Sequence, residues 1–301
     1  MENSREEIAS LLGAKPKEIF FTSGGTESDN QAIITAANIG RSVGKMHIVS
    51  TKIEHHAVGH TLEALQKEGF DITLVDVNEN GIVDVKDIDD AIREDTALVT
   101  VMYVNNEIGT IQPIGEIGRI CKEKHVLFHT DAVQAFAHIP INVDEMNIDM
   151  LSASGHKING PKGIGVMYIR RGVKIRSFVH GGAQERQRRA GTHNVPGIVG
   201  LGAAADRAMR IMEEKTRKLL TNPHVIAFNQ DPACASCYQI SVYGNPDAFV
   251  LLKPLSGGEY AAGFFNFSDV PVSMTLNFWD IGLSAASWCG LRFYDCLSER
   301  D

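Results

Sequence analysis

An α/β fold, a mainly parallel sheet with helices on both faces followed by an antiparallel β-sandwich-like tail, is predicted by three features of this 301-residue sequence. Short runs rich in Val, Ile, Phe and Thr alternate with segments of helical period up to about residue 219, and such alternation is the signature of parallel strands joined by crossover helices. Composition then breaks. Of the 29 lysines and arginines only Lys253, Arg292 and Arg300 lie beyond residue 219, whereas Trp279, Trp288 and four of the five cysteines do. Past the break, β-rich runs follow one another with turn residues between them, as in antiparallel sandwiches.

Taken in order, the chain starts with MENSREEIASLL, an amphipathic helix in which Ser4 and Glu7 have the spacing of a capping box. The strand runs EIFFT, MHIVS, DITLVDV, ALVTVMY, VLFHT and MLSAS follow, separated by helical segments such as AVGHTLEALQKEG and IGEIGRICKEK. A helix spanning Ala208 to Leu219 carries the chain to the break, which predicts two domains, 1–219 and 220–301. In the second, YQISVYG, AFVLLKPLS, YAAGFFNFS and VPVSMTLNFW are bounded by Gly, Asn, Pro, Asp and Ser and read as strands.

Several function classes are excluded by composition. No run approaches the ~18 apolar residues of a membrane span, and the charged N-terminus lacks the apolar core of a signal peptide, so the expected compartment is the cytoplasm. A net charge of −8 leaves no electrostatic footprint for nucleic acid. The basic cluster Arg186, Arg188 and Arg189 is too short to supply one, although it can meet a phosphate. Cys121, Cys234, Cys237, Cys289 and Cys296 form no regular disulfide framework. Cys234 and Cys237 make one CxxC without a second ligand pair, so no metal site is expected.

Ligands on a parallel sheet sit at the carboxyl ends of its strands, so the residues just past each run are the ones to read for chemistry. After EIFFT comes Ser23-Gly24-Gly25-Thr26-Glu27-Ser28, a turn opening a helix, whose amides and hydroxyls can cradle a phosphate or simply cap the helix. After VLF comes His129-Thr130-Asp131, where Asp131 can protonate a pyridine ring or serve as an N-cap. After MLSAS comes Gly155-His156-Lys157, leading into a Gly- and Pro-shaped loop. Lys157 there is either a nucleophile, made useful by desolvation or a nearby cation, or a solvated loop lysine. Glu54-His55-His56 and Asn105-Asn106-Glu107 end two further runs.

Found together and in order, SGGTESDN, VNNEIGTIQPI, HTDAVQ, SGHKINGPKGIG and GG-(x)₇-AGT resemble the cysteine desulfurases, class V aminotransferases of pyridoxal-phosphate (PLP) fold type I, over about residues 4–218. The resemblance implies a seven-stranded-type sheet, PLP as cofactor, Lys157 as the Schiff-base lysine and His55 as the ring stacked on the cofactor. Asp131 would pair with the pyridine nitrogen, and Asn106 and Gln134 would contact the ring hydroxyl side. Gly25, Thr26, Ser154 and His156 would hold the phosphate, and Thr192 would reach the phosphate of a neighbouring subunit in a homodimer. It also implies L-cysteine as substrate, a persulfide as product, and sulfur-acceptor proteins in iron–sulfur cluster assembly or thiolation as partners.

The resemblance has a limit. The family's catalytic-cysteine loop and its substrate-carboxylate arginine find no match after Leu219, and DPACASCYQ fits neither form of that loop. Residues 219–301 instead resemble the C-terminal end of an α-galactosidase at VIAFNQDP and WDIGL, with no catalytic carboxylate among them. The expectation is a desulfurase-like core that binds cofactor without completing sulfur transfer; the alternatives are a non-catalytic chimeric chain and a galactosidase fragment.

Overall fold

The computed structural model describes residues 1–211, 238–241, 248–254 and 260–266. The chain divides into two compact units, Met1–Thr216 and Arg217–Asp301. In the first, α1 (Glu2–Leu12) leads to β1 (Ile19–Thr22), and strand and helix then alternate. The order runs α2 (Gly25–Arg41), β2 (His47–Thr51), α3 (His56–Lys67), β3 (Asp71–Val75), α4 (Val85–Ala91), β4 (Thr96–Thr100), α5 (Ile114–Glu123) and β5 (Leu127–Asp131). β6 (Met150–Ser154) and β7 (Gly165–Ile169) close the sheet, followed by the short turn α6 (Gln184–Gln187) and by α7 (Val195–Ile211).

The seven strands stand in the order β1-β7-β6-β5-β4-β2-β3. β2 through β6 pair in parallel, and β7 runs against both of its neighbours. The sequence reading held six of these strands and missed β7. Its GVMYI follows directly on the Gly-rich loop, and an antiparallel return needs no crossover helix to announce it.

Adjacent residues along the strands enter opposite cores, which explains why β2 and β4 to β7 are buried along nearly their whole length rather than at alternate positions. Ile48, Leu98 and Met150 join Ile33 of α2 and Leu62 of α3 on one face. Val49, Val99 and Leu151 join Leu12 of α1, Ile117 of α5 and Leu201 of α7 on the other. Helices therefore cover both faces, and the strands' carboxyl ends are left to build a site.

One capping expectation is corrected. α1 begins at Glu2 with Met1 as N-cap and no side-chain cap, so Ser4 and Glu7 do not form a capping box. Ser4 is buried and faces α7, where a Cβ on Gly202 would come within 2.5 Å of it. The seam helix starts at Val195, ahead of the predicted Ala208, and its stretch after Ile211 lies outside the described residues.

The second unit contains a three-stranded antiparallel sheet, with β9 (Ala248–Pro254) between β8 (Tyr238–Ser241) and β10 (Tyr260–Asn266). These match three of the four predicted tail strands. The fourth, VPVSMTLNFW, lies outside the described residues, as do the segment 219–221, both tryptophans and Cys234, Cys237, Cys289 and Cys296. Among the described residues no helix is long and apolar enough to cross a membrane.

Candidate active site

Loops at the carboxyl ends of β1, β2, β4, β5 and β6 meet around a cavity of about 160 Å³. Gly25, Thr26, His55, Asn106, Asp131, Gln134, Ser154, His156 and Lys157 all line it, which brings together nine of the ten predicted site residues. Thr192 is exposed and lies outside this lining.

Lys157 sits on a 3-10 turn, Gly155–Ile158, directly after β6. The turn is held by the Gly160 amide donating to the Gly155 carbonyl at 2.9 Å and by His138 Nε2, 3.0 Å from the Lys157 carbonyl. The backbone is fixed while the amine stays accessible. Asp131, the last residue of β5, is buried, and its Oδ1 accepts the Val133 amide at 2.9 Å. One oxygen caps the following turn, and the side chain lines the pocket. Burial raises its pKa, while the Val133 amide and the charges of His55 and Lys157 pull the other way.

The phosphate-type end is built from α2 and the turn after β6. Ser28 donates the first backbone hydrogen bond of α2, to Gly24, so the amides of Gly25 and Thr26 precede the intrahelical ladder and stand at the positive end of a 17-residue helix. Ser154 Oγ and His156 Nδ1 are 2.8 Å apart. Desolvation and the nearby Lys157 and Lys162 charges lower the His156 pKa. Close approach is enforced by glycine: a Cβ on Gly25 would lie 2.6 Å from Val133 Cγ2, and one on Gly165 would lie 2.6 Å from the Gly24 backbone.

His55 is the N-cap of α3, its Nδ1 accepting the Ala57 amide at 3.1 Å, which fixes the ring and leaves Nε2 to carry the proton. Met102 and Val104 add an apolar wall. The sequence reading missed both, although they follow Thr100 at strand period. It also missed Asp29, which lies one helical turn after Gly25 and therefore on the same face. Cys121 is the described cysteine; it lies in the core of α5, away from the cavity, with its thiol pushed up to about 12 by burial.

The donor set fits PLP. It offers an amine at one side, a buried carboxyl for a ring nitrogen, and a helix N-terminus with a hydroxyl and an imidazole for a phosphate.

Comparison with known proteins agrees. The aminotransferase class-V family model matches residues 1–227. The cysteine desulfurase IscS of Methanosarcina thermophila is 57% identical over 217 residues, covering 72% of this chain and 54% of that protein. Among solved structures, a NifS-like protein superposes with a TM-score of 0.72 at 39% identity, covering 84% of this chain and 70% of the other. SspA in complex with cysteine gives 0.68 at 38% identity, covering 85% and 71%. The chain spans about half the length of the curated relatives it matches. Class V aminotransferases and cysteine desulfurases are PLP-dependent, and this chain belongs to the class V aminotransferase family.

Proposed function

We propose that the first unit binds PLP in this cavity and acts on L-cysteine as the cofactor-handling core of a cysteine desulfurase. The observation that carries the reading is the convergence of Lys157, Asp131 and His55 with the Gly25–Thr26 turn, Ser154 and His156 on one pocket. Bound PLP supplies an electron sink for negative charge developing at the Cα of an amino acid. Lys157 Nζ would hold the cofactor's aldehyde carbon and is the base placed to move a proton at a substrate Cα. Asp131 would keep the ring nitrogen protonated, and His55, fixed by the Ala57 amide, would pack on the ring face. Gly25, Thr26, Ser154 and His156 receive the phosphate, and Asn106 and Gln134 face the ring hydroxyl.

L-Cysteine as substrate is supported by the IscS relatives and by the cysteine bound to SspA. In the same reading Thr192, in an exposed loop, serves the neighbouring subunit of a homodimer; sulfur-acceptor proteins are the partners and the cytoplasm is the compartment. Residues 220–301 keep the reading of an α-galactosidase-like end. The antiparallel β8–β9–β10 sheet supports a β-rich tail, and galactoside hydrolysis is not expected of it.

The test is reconstitution with PLP, comparing the parent with Lys157→Ala. Lys157 is exposed, so the variant is expected to fold. Visible absorption of the lysine-bound cofactor in the parent and its loss in the variant support the reading; identical spectra overturn it. Adding L-cysteine together with a thiol reductant, which releases persulfide sulfur as sulfide, then separates two outcomes. Alanine with sulfide means complete turnover. A spectral change without alanine means binding alone, which the galactosidase-like residues 220–301 favour over a desulfurase cysteine loop.

A further inference from the structure

Two carboxyl groups near the cavity have no role in the chemistry above. Asp29, on α2, lines the pocket with its side chain 1% exposed, and its Oδ1 is sealed from solvent without a hydrogen-bond partner. The ionisable nitrogen facing it is His129 Nε2, at 3.7 Å. That imidazole lies in the sheet, with Nδ1 2.8 Å from Thr100 Oγ1 and Nε2 2.9 Å from Ser152 Oγ, and burial pushes its pKa down to about 3. Asp29 therefore has no counter-cation.

Glu54, between β2 and α3, turns its carboxyl inward. Oε1 accepts from the Thr51 hydroxyl at 2.6 Å and from the Met102 amide at 3.0 Å, and Oε2 is buried without a partner. Among the described residues no lysine or arginine pairs with either carboxyl. Both lie close enough to Asp131 to feel its charge, and of the three only Asp131 is drawn toward ionisation by a nearby ammonium, that of Lys157. A buried carboxylate without a cation is costly, so a group so placed takes up a proton instead.

We propose that Asp29 and Glu54 are positioning residues, held as neutral acids beside the cofactor pocket so that the single negative charge facing the ring nitrogen resides on Asp131. The role rests on the PLP reading above, whereas the protonation itself belongs to the protein alone. Asp29 approaches from α2 and Glu54 from the β2–α3 loop, while Asp131 and His129 stand on β5. Burial raises Asp29 well above the ordinary carboxyl range against a hydrogen bond from Ser152, and raises Glu54 to about 8, so Glu54 ionises when the pH passes about 8. That ionisation would place a second negative charge beside Asp131.

Infrared spectroscopy of the cofactor-free protein at pH 7 tests the protonation. A carboxylic-acid carbonyl band is expected, with one component lost in Asp29→Asn and another in Glu54→Gln. Selective ¹³C labelling of aspartate or glutamate in the parent moves the same components and does not depend on a variant folding. Absence of the acid band at pH 7, or a band unmoved by either label, overturns the inference. In PLP-loaded protein, the part of the cofactor's absorption change centred near pH 8 is expected in the parent and lost in Glu54→Gln. Its persistence in the variant overturns the coupling to Asp131. Failure to bind PLP, with the acid bands present, counts against the function proposed above and not against the protonation.

Discussion

Replacing Arg5 by Met should release the segment that carries Arg188, Arg189 and Thr192. Arg5 and Glu185 form a buried fork: Nη1 to Oε2 at 2.9 Å and Nη2 to Oε1 at 3.0 Å, with side chains 4% and 1% exposed. Arg5 also donates to the Ile19 carbonyl, and Glu185 accepts from the Phe21 amide and lies 2.8 Å from His193 Nε2. This network holds Glu185, Arg186 and Gln187 in the left-handed region, at φ of 45°, 54° and 63°. A left-handed residue costs roughly 1–2 kcal/mol, so the turn stores about 3–6 kcal/mol. Removing one partner of a buried ion pair costs about 3–5 kcal/mol. The two quantities are of one size, so the turn has little reason to persist once the fork is broken.

If the loss were shared by the whole unit, Tm would fall by roughly 6–20 °C on the scale for domains of this size. If the turn frees locally, the fall is smaller and trypsin gains access at Arg186, Arg188 and Arg189. Thermal unfolding and limited proteolysis of parent and Arg5→Met distinguish these outcomes. A change in Tm of less than 1–2 °C together with an unchanged tryptic pattern would refute the account. Acid should mimic the variant. Burial pushes the Glu185 carboxyl up, but Arg5, the Phe21 amide and His193 outweigh it and its pKa is lowered. Its contribution is therefore present above the unfolded carboxyl range and lost as pH falls through the lower folded value.

Glu54 has the opposite sign: its folded pKa of about 8 lies above the unfolded value, so its contribution is full in acid and is lost as pH rises toward 8. Glu54→Gln should thus gain on the parent by a few kcal/mol between about pH 4 and pH 8 in denaturant titrations, and parallel pH curves would contradict this. Gly25→Ala forces its methyl against Val133 Cγ2, a side chain that can shift, whereas Gly165→Ala meets the backbone of Gly24 at 2.6 Å and the Ala153 carbonyl at 2.8 Å. Overpacking costs about 1–3 kcal/mol and more where nothing yields, so Gly165→Ala should lose more stability, while Gly25→Ala should mainly weaken PLP affinity; equal losses in Tm would argue against the distinction.

The parts of the site legible in the sequence are those fixed by local rules. Asp131, Lys157 and the Gly25–Thr26 turn each follow a strand run directly, and on a parallel sheet that position is enough to send them to one edge. The parts that were not legible depend on what folding brings together. Asp29 was within reach through its four-residue spacing from Gly25, but its missing counter-cation appears only once His129 is seen to be buried and tied to two hydroxyls. Glu185 is separated from Arg5 by 180 residues, and no periodicity links them. β7 escaped notice because five residues after a Gly-rich loop carry too little pattern to declare a strand, whereas two neighbouring strands make one obligatory.

Sheet order also separates the cofactor pocket from the loop that Glu185 anchors. Every residue lining the cavity falls between Gly25 and Lys157; those after β2, β4, β5 and β6 arrive on neighbouring strands and the Gly25–Thr26 turn follows β1, one strand further on past β7, so their spacing is set by backbone ladders buried between two cores. Glu185 touches β1 through the Phe21 amide on the strand itself, before the turn that opens α2. Two ties reach α2 from the loop: the Arg188 carbonyl accepts from the Gln31 side-chain amide at 2.8 Å, and the Arg189 guanidinium binds Glu27 at 2.8 and 3.0 Å. Glu27 also holds the Ser23 amide at 2.9 Å, so the ends of α2 and of the phosphate turn stay fastened on their own side when Arg189 leaves. Arg5→Met should therefore open the Thr192 loop while leaving the absorption of lysine-bound PLP intact. Loss of that absorption would mean that the loop shapes the pocket of its own chain.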